Sequence, residues 1–369
     1  MLLTYEEARR GARRAIPRAL FDYIDRGVGE ESSLLALRQS LDDYLIVPRI
    51  LRSHEGCSIA TRLFGEDYAT PFIIAPTAMA GLIRHDGEIA MARAASRHGI
   101  RVCLSTQSVI SIERLARSVP EARLWMQLYL WNDPEASGQL MDRAAAAGAD
   151  VLVMTVDTPR GARKAWNVRS GFDMPFRFTA RGMADIALHP RWLVRVVLRS
   201  MARGALPRLE NFPEGSRPGL IGPITSSQLY LRRDLNWDDV ARVRDRWKGK
   251  LVLKGILAVE DADRAVEIGA DGIVVSSHGA RNFDAAPAPI AVLPGIVREV
   301  GGRLDVLADS GIRNGLDALR YRHAGARAVM LGRLPLFALA AGGEAGVDGL
   351  LDLFVRDYRE ALDFSGAEV

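Results

Sequence analysis

Residues 272–284 read GIVVSSHGARNFD, and how they are read decides the fold. The β-branched run Ile273–Val275 enters the stretch, and small polar residues end it from Ser276. So apolar a run is expected as a strand buried on both faces, the pattern of a parallel sheet. His278 and Arg281 follow directly, a titratable imidazole close to a guanidinium that keeps its charge. In barrel enzymes the residues just past the C-terminal ends of the strands carry the chemistry. A base beside a fixed cation suits an anionic substrate that must give up a proton. Taken singly, such a pair describes an ordinary loop, so its weight depends on the rest of the chain.

The same grammar repeats outward from that stretch. Apolar runs at Phe72–Ala75, Val102–Leu104, Leu124–Leu128, Val151–Thr155, Leu251–Leu253, Gly272–Val275, Leu304–Ala308 and Ala328–Leu331 alternate with helix-like segments. Gly87–His98, Pro134–Ala147, Ala262–Ile268 and Asn314–Tyr321 are examples of those segments. Eight strand–helix units in one direction predict an α/β fold, a closed (β/α)8 TIM barrel. The rival is an open doubly wound sheet, but no G-x-G-x-x-G follows the first strand. Residues 4–50 are expected as a helical arm, with Pro17 starting one segment, Gly27 and Gly29 ending it, and Tyr23 on it.

Each run ends in a residue with useful chemistry. These are Pro76, Thr77 and Ala78; Ser105 and Thr106; Gln127 and Tyr129; Thr155 and Asp157; Lys254; Ser276 and His278; Asp309, Ser310 and Gly311; and Gly332 and Arg333. A lone strand-end Ser, Thr or Asp is usually a turn or cap residue; a complete rim of them reads as a site. The last two loops, Asp309–Gly315 and Leu331–Arg333, offer small residues, free backbone N–H groups and arginines where barrels hold phosphate. Lys254 at the barrel mouth could form a Schiff base, or stand as a fixed cation beside a cofactor that turns negative on reduction.

Composition limits the alternatives. The chain has 369 residues, 48% hydrophobic and 25% charged, with a net charge of +4, and has no basic tail, so nucleic acid is not an expected partner. The two cysteines, Cys57 and Cys103, form neither a metal spacing nor a disulfide framework, and Cys103 is expected in the core. Charges interrupt the N-terminus where a signal peptide needs an apolar core, and no run of about 18 uninterrupted apolar residues occurs. The expected setting is cytoplasmic. A single domain is expected, broken by an insertion at 173–223 that carries Arg177, Arg181, Arg191, Arg195, Arg199, Arg203 and Arg208. Arg191, Arg195, Arg199 and Arg203 recur every fourth residue, while Leu193, Val194, Val197, Leu198 and Met201 fill the remaining faces. Such a helix within 185–205 either lies on an anionic membrane surface or packs on its own barrel or a neighbouring subunit.

The set PTA, LST, QLY, TVDTP, LKGI, SSHGARNFD, LADSGIRNGLD and LGR resembles the FMN-dependent L-2-hydroxy acid dehydrogenase and oxidase family, collinearly from Tyr5 to Gly366. The resemblance implies FMN as cofactor, oxidation of a lactate-like or mandelate-like L-2-hydroxy acid, and a homotetramer. It implies His278 as the base and Asp157 as the carboxylate that orients it. Arg281 would hold the substrate carboxylate, and Tyr23 and Tyr129 would hydrogen-bond that carboxylate or the hydroxyl. Pro76, Thr77, Ala78, Ser105, Gln127, Thr155, Lys254 and Ser276 match flavin-contacting positions. Asp309, Ser310, Gly311, Arg313, Gly332 and Arg333 match ribityl and phosphate positions. The family's second carboxylate-binding Arg falls on Lys164 without a gap, or on Arg163 with one; Lys lacks the planar fork of Arg. Ala78, where many of the dehydrogenases carry Gly, resembles the oxidases, so quinone and O2 both remain as acceptors. LADSGIRNGLD and the basic insertion resemble the bacterial membrane-associated lactate and mandelate dehydrogenases, which implies peripheral contact with the inner membrane. A flavin barrel with a non-redox or no catalytic role is the remaining alternative.

Overall fold

The computed structural model describes the whole chain except residues 1–3, 53–57, 163, 171, 173–178, 203–205, 215–216, 220–229 and 368–369. Cys57, Arg163, Arg177 and Arg203 therefore lie outside the described residues. Three helices form the expected N-terminal arm: α1 (Tyr5–Ala15), α2 (Arg18–Asp25) and α3 (Ser32–Asp43). The Thr4 hydroxyl caps α1, with Glu6 and Glu7 in the first turn and Arg13 and Arg14 in the last, the charge order a helix dipole favours. Pro17, without an amide hydrogen, stands at the N-cap of α2 and separates it from α1.

The hairpin β1 (Thr61–Leu63) and β2 (Glu66–Tyr68) comes next. The barrel strands follow as β3 (Phe72–Ile74), β4 (Arg101–Leu104), β5 (Leu124–Leu128), β6 (Val151–Thr155), β7 (Lys250–Ile256), β8 (Gly272–Val275), β9 (Asp305–Ala308) and β10 (Ala328–Leu331). Each is parallel to its neighbours, and Val329 of β10 opposite Phe72 of β3 closes the barrel. The (β/α)8 expectation holds strand for strand.

Alternation along the strands separates two cores. Ile73, Cys103, Trp125, Val153, Val274 and Leu307 fill the barrel interior, while Phe72, Ile74, Val102, Met126 and Leu152 pack outward on the helices. Leu63, Phe64 and Tyr68 of the hairpin join the interior cluster, and the Phe64 N–H donates to Asp305 at the start of β9. The hairpin thus plugs the N-terminal end of the barrel and leaves the C-terminal rim for chemistry. The last helix, Arg333–Ser365, kinks at Gly343. It is long and apolar enough to cross a membrane by length and composition, but 61% of its apolar window is buried, and it packs on α1 and the helix Gly87–Arg97.

The β6–β7 connection holds the helices Ala165–Ser170, Ala180–Ala187 and Pro190–Met201, then Trp237–Arg246, which completes the βα unit. Arg191, Arg195 and Arg199 of the expected stripe are all exposed. Residues Leu193–Leu198 form a π-helical turn within that helix. Val196 and Ser200 are buried and Leu193 and Val197 half-buried, whereas Val194, Leu198 and Met201 face solvent together with Arg191, Arg195 and Arg199. Tertiary anchors choose that face: the Trp192 indole donates to Leu82 O at 2.8 Å, and His85 Nδ1 lies 3.1 Å from the Ser200 hydroxyl. The helix packs on its own barrel and still presents an apolar, basic outer side.

Candidate active site

A cavity of about 660 Å³ opens on the C-terminal rim, within the range of cofactor sites. The end of every barrel strand reaches it. Pro76, Thr77 and Ala78 line it after β3, Ser105 after β4, Gln127 and Tyr129 at β5, Thr155 at β6 and Lys254 at β7. His278 and Arg281 follow β8, Asp309, Ser310, Gly311 and Arg313 follow β9, and Gly332 and Arg333 follow β10. A row of neutral groups is pre-set along one wall. Gln127 Oε1 accepts from the Ser105 hydroxyl and the Thr106 N–H, both at 3.2 Å, and Gln127 Nε2 donates to Thr155 Oγ1 at 3.0 Å.

Lys254 is buried, with Nζ 2.9 Å from Asp309 Oδ2 and donating to the Ser276 hydroxyl at 2.9 Å. Burial works against its charge, but Asp309 and Asp157 outweigh that and hold its pKa above the usual value. The amine is therefore a fixed cation, not the neutral nucleophile a Schiff base requires. Ser276 is absent from the cavity wall; its hydroxyl is taken by Lys254 and by the His278 N–H at 3.0 Å.

His278 Nδ1 lies 3.0 and 3.2 Å from the two oxygens of Asp157. Asp157 stands behind the imidazole and does not line the cavity. Burial would raise its pKa, but the charge and hydrogen bond of His278, with Lys254, bring it below the usual carboxylate value. Two backbone features make the approach possible. A bulge in β7 places Gly255 at φ +113, where a Cβ would come within 2.5 Å of Asp157 Cβ. His278 itself is left-handed, at φ 54, which turns its ring from the strand direction toward Asp157. Asn282 donates to Asp157 O at 3.0 Å, and Asp284 accepts from the Glu30 and Ser33 N–H groups. The same short stretch thus fixes both the base and the arm.

The arm brings Tyr23 to the cavity. Arg281 lies over its ring, 4.8 Å from the centroid, and donates through Nη1 to Tyr23 O at 2.6 Å. That leaves the other edge of the guanidinium without a hydrogen bond among the described residues. Tyr129 also lines the cavity; burial, then the Asp157 charge, pushes its pKa up, so the hydroxyl stays protonated and able to donate. Lys164 is on the wall, while Arg163 lies outside the described residues. Gln107, Thr158, Asn167, Phe172 and Leu231 line the cavity without having been singled out in the sequence. They lie beyond the strand ends, Asn167 on the short helix Ala165–Ser170 and the others on irregular connections, where no strand periodicity marks them. Phe172 packs on Tyr23, with ring centroids 5.1 Å apart.

The far end fits a phosphate. Gly332 opens the helix Arg333–Ser365 without a side-chain cap, so its first amides are unclaimed by one. Arg333 is half-buried there, donating to Ile24 O at 2.8 Å, and burial plus the charge of Arg281 lower its pKa to about 10. A half-buried guanidinium opposed by a second cation, beside amides that no side chain caps, is stabilised by a bound dianion.

A barrel with a polar wall, a fixed ammonium and a phosphate corner defines a flavin-type oxidoreductase site, and residues 12–369 match the family model described as FMN-dependent dehydrogenase. The chain belongs to that family, and FMN is its cofactor. It is 39% identical over 352 residues to a putative L-lactate dehydrogenase of Mycobacterium tuberculosis, covering 95% of this chain and 83% of that one. It is 40% identical over 360 residues to an L-lactate dehydrogenase of Caulobacter vibrioides, covering 97% and 92%. Among solved structures it is similar to the monotopic membrane protein (S)-mandelate dehydrogenase, with TM-score 0.89 and 33% identity over 99% of this chain and 96% of that one. Mandelate oxidase in complex with (S)-2-phenylpropionate matches with TM-score 0.82 and 35% identity, over 100% and 95%.

Proposed function

We propose that the enzyme oxidises a lactate-like or mandelate-like L-2-hydroxy acid to the 2-oxo acid, with His278 as base and Arg281 as carboxylate anchor. The observation that carries this reading is His278, held from behind by Asp157, facing the same cavity as Arg281. Asp157 holds Nδ1, so Nε2 is the nitrogen that takes the substrate proton, and the carboxylate then stabilises the imidazolium. Arg281 receives the substrate carboxylate on the guanidinium edge not engaged with the arm, and Tyr23 and Tyr129 donate to the carboxylate or hydroxyl. Lys164, which lines the same cavity, or Arg163 is the second carboxylate anchor. FMN, when bound, supplies the two-electron acceptor. Ser105, Gln127 and Thr155 would face its polar edge, Lys254 would offset negative charge gained on reduction, and Gly311, Arg313, Gly332 and Arg333 would hold the ribityl phosphate. Anaerobic mixing with L-lactate and L-mandelate tests the reading: one of them bleaches the flavin, and no bleaching by any 2-hydroxy acid overturns it.

A peripheral membrane setting, with a quinone as oxidant, follows from the outer side of the Pro190–Met201 helix. Val194, Leu198 and Met201 lie exposed among Arg191, Arg195 and Arg199, on a connection that leaves the flavin rim. The similar mandelate dehydrogenase is described as monotopic, which supports this setting. Ala78 supports the opposing reading, an O2-using oxidase. Reoxidation rates with O2 and with a quinone analogue decide between them.

A further inference from the structure

The two hydrogen bonds that seat the Pro190–Met201 helix also bring its arginines to a cation on the barrel. Trp192 holds Leu82 O and Ser200 meets His85, so the segment that carries Arg84 lies against the turn that carries Arg195 and Arg199. Arg84 is half-buried against Gly343, where a Cβ would come within 2.6 Å of its guanidinium carbon. Burial, and then the charges of Arg195 and Arg199, lower its pKa. The neighbouring acids are engaged elsewhere: Asp86 pairs with Arg114 at 2.7 Å and Glu344 with Arg97 at 2.9 Å. No ion pair of Arg84, Arg195 or Arg199 occurs among the described residues. Beside them Val194, Leu198 and Met201 are 55%, 50% and 57% exposed.

Like charges gathered without a counter-ion, at the margin of exposed apolar side chains, complement an anion that carries its own hydrocarbon. We propose that Arg84, Arg195 and Arg199 form a site for the phosphodiester headgroup of an anionic phospholipid, whose acyl chains lie against Val194, Leu198 and Met201. This rests on the membrane reading above and deepens it. A diffuse basic surface would use every exposed arginine of the helix, Arg191 included. A headgroup site uses Arg84, which belongs to the barrel, and leaves Arg191 out.

The test is co-sedimentation of the holoenzyme with phosphatidylcholine vesicles, with and without phosphatidylglycerol. Arg84→Gln, Arg199→Gln and Arg191→Gln are compared with the unsubstituted enzyme. The expected result is binding to the phosphatidylglycerol vesicles, weakened ten-fold or more by Arg84→Gln and by Arg199→Gln. Arg191→Gln weakens it by no more than the roughly five-fold expected of one charge near an anionic surface. Equal losses at Arg84 and Arg191 overturn the headgroup site and leave the membrane reading standing; absence of binding by the unsubstituted enzyme overturns both. Arg199 is exposed, so its variant carries the test if Arg84→Gln does not fold. A short-chain phosphatidylglycerol should raise the thermal midpoint of the enzyme but not of Arg199→Gln. An equal rise with inorganic phosphate refutes the lipid as ligand.

Discussion

Replacing Asp157 by Asn removes a charge while keeping the shape behind His278. With Nδ1 3.0 and 3.2 Å from the two carboxylate oxygens, the ion pair that forms when His278 takes its proton is close. Two unit charges at that distance interact by about 5 kcal/mol at an effective dielectric near 20. The His278 and Asp157 side chains are 24% and 15% exposed, so water reduces this, and the Asn oxygen still accepts one hydrogen bond. A loss of about 3 kcal/mol remains, or on the order of 10²-fold in rate. Because the imidazolium forms only as the substrate gives up its proton, the loss falls on flavin reduction. Asp157 does not line the cavity, so FMN content should be unchanged. The assay is anaerobic stopped-flow bleaching of the bound flavin at saturating hydroxy acid. A fall of less than about five-fold, with full flavin content, would refute the assigned role.

His278→Ala should slow the same step by about 10² to 10⁴ while the protein stays yellow; near-normal reduction contradicts the base. Arg281→Lys should raise KM and lower the reduction rate together, since a point charge cannot aim the substrate carboxylate as the planar fork does; an unchanged KM would place the anchor elsewhere. Lys254→Met leaves Asp309 buried without its cation and should destabilise the fold by about 3–5 kcal/mol, read by denaturant unfolding, and Asp309→Asn added to it should recover part of the loss. Asp157 has a folded pKa below its reference value of 3.8, so its stabilisation is present above that pH and lost as pH falls through the folded value. Acid unfolding curves of the wild type and Asp157→Asn should therefore converge at low pH, and parallel curves would contradict the shift.

The barrel was legible because its signal is local and repeated. A parallel strand buried on both faces must be a continuous apolar run, so each of the eight announces itself, and its C-terminal end names a rim residue. His278, Arg281 and Lys254 could be picked out for that reason. What they do to one another could not be read so directly. Asp157 and His278 are 121 residues apart, and the bulge at Gly255 that lets them meet belongs to a strand between them. The charge on Lys254 depends on Asp309, which comes from another strand end. The basic helix shows the limit best. Its composition contained the arginines and the apolar residues, but which of them face water was decided by Trp192 on Leu82 and Ser200 on His85. Sequence determines what each strand end and helix can offer, because periodicity and side-chain chemistry are local. Only the closed barrel decides which offers meet, because separation in space, burial and the sharing of charge are properties of the packed chain.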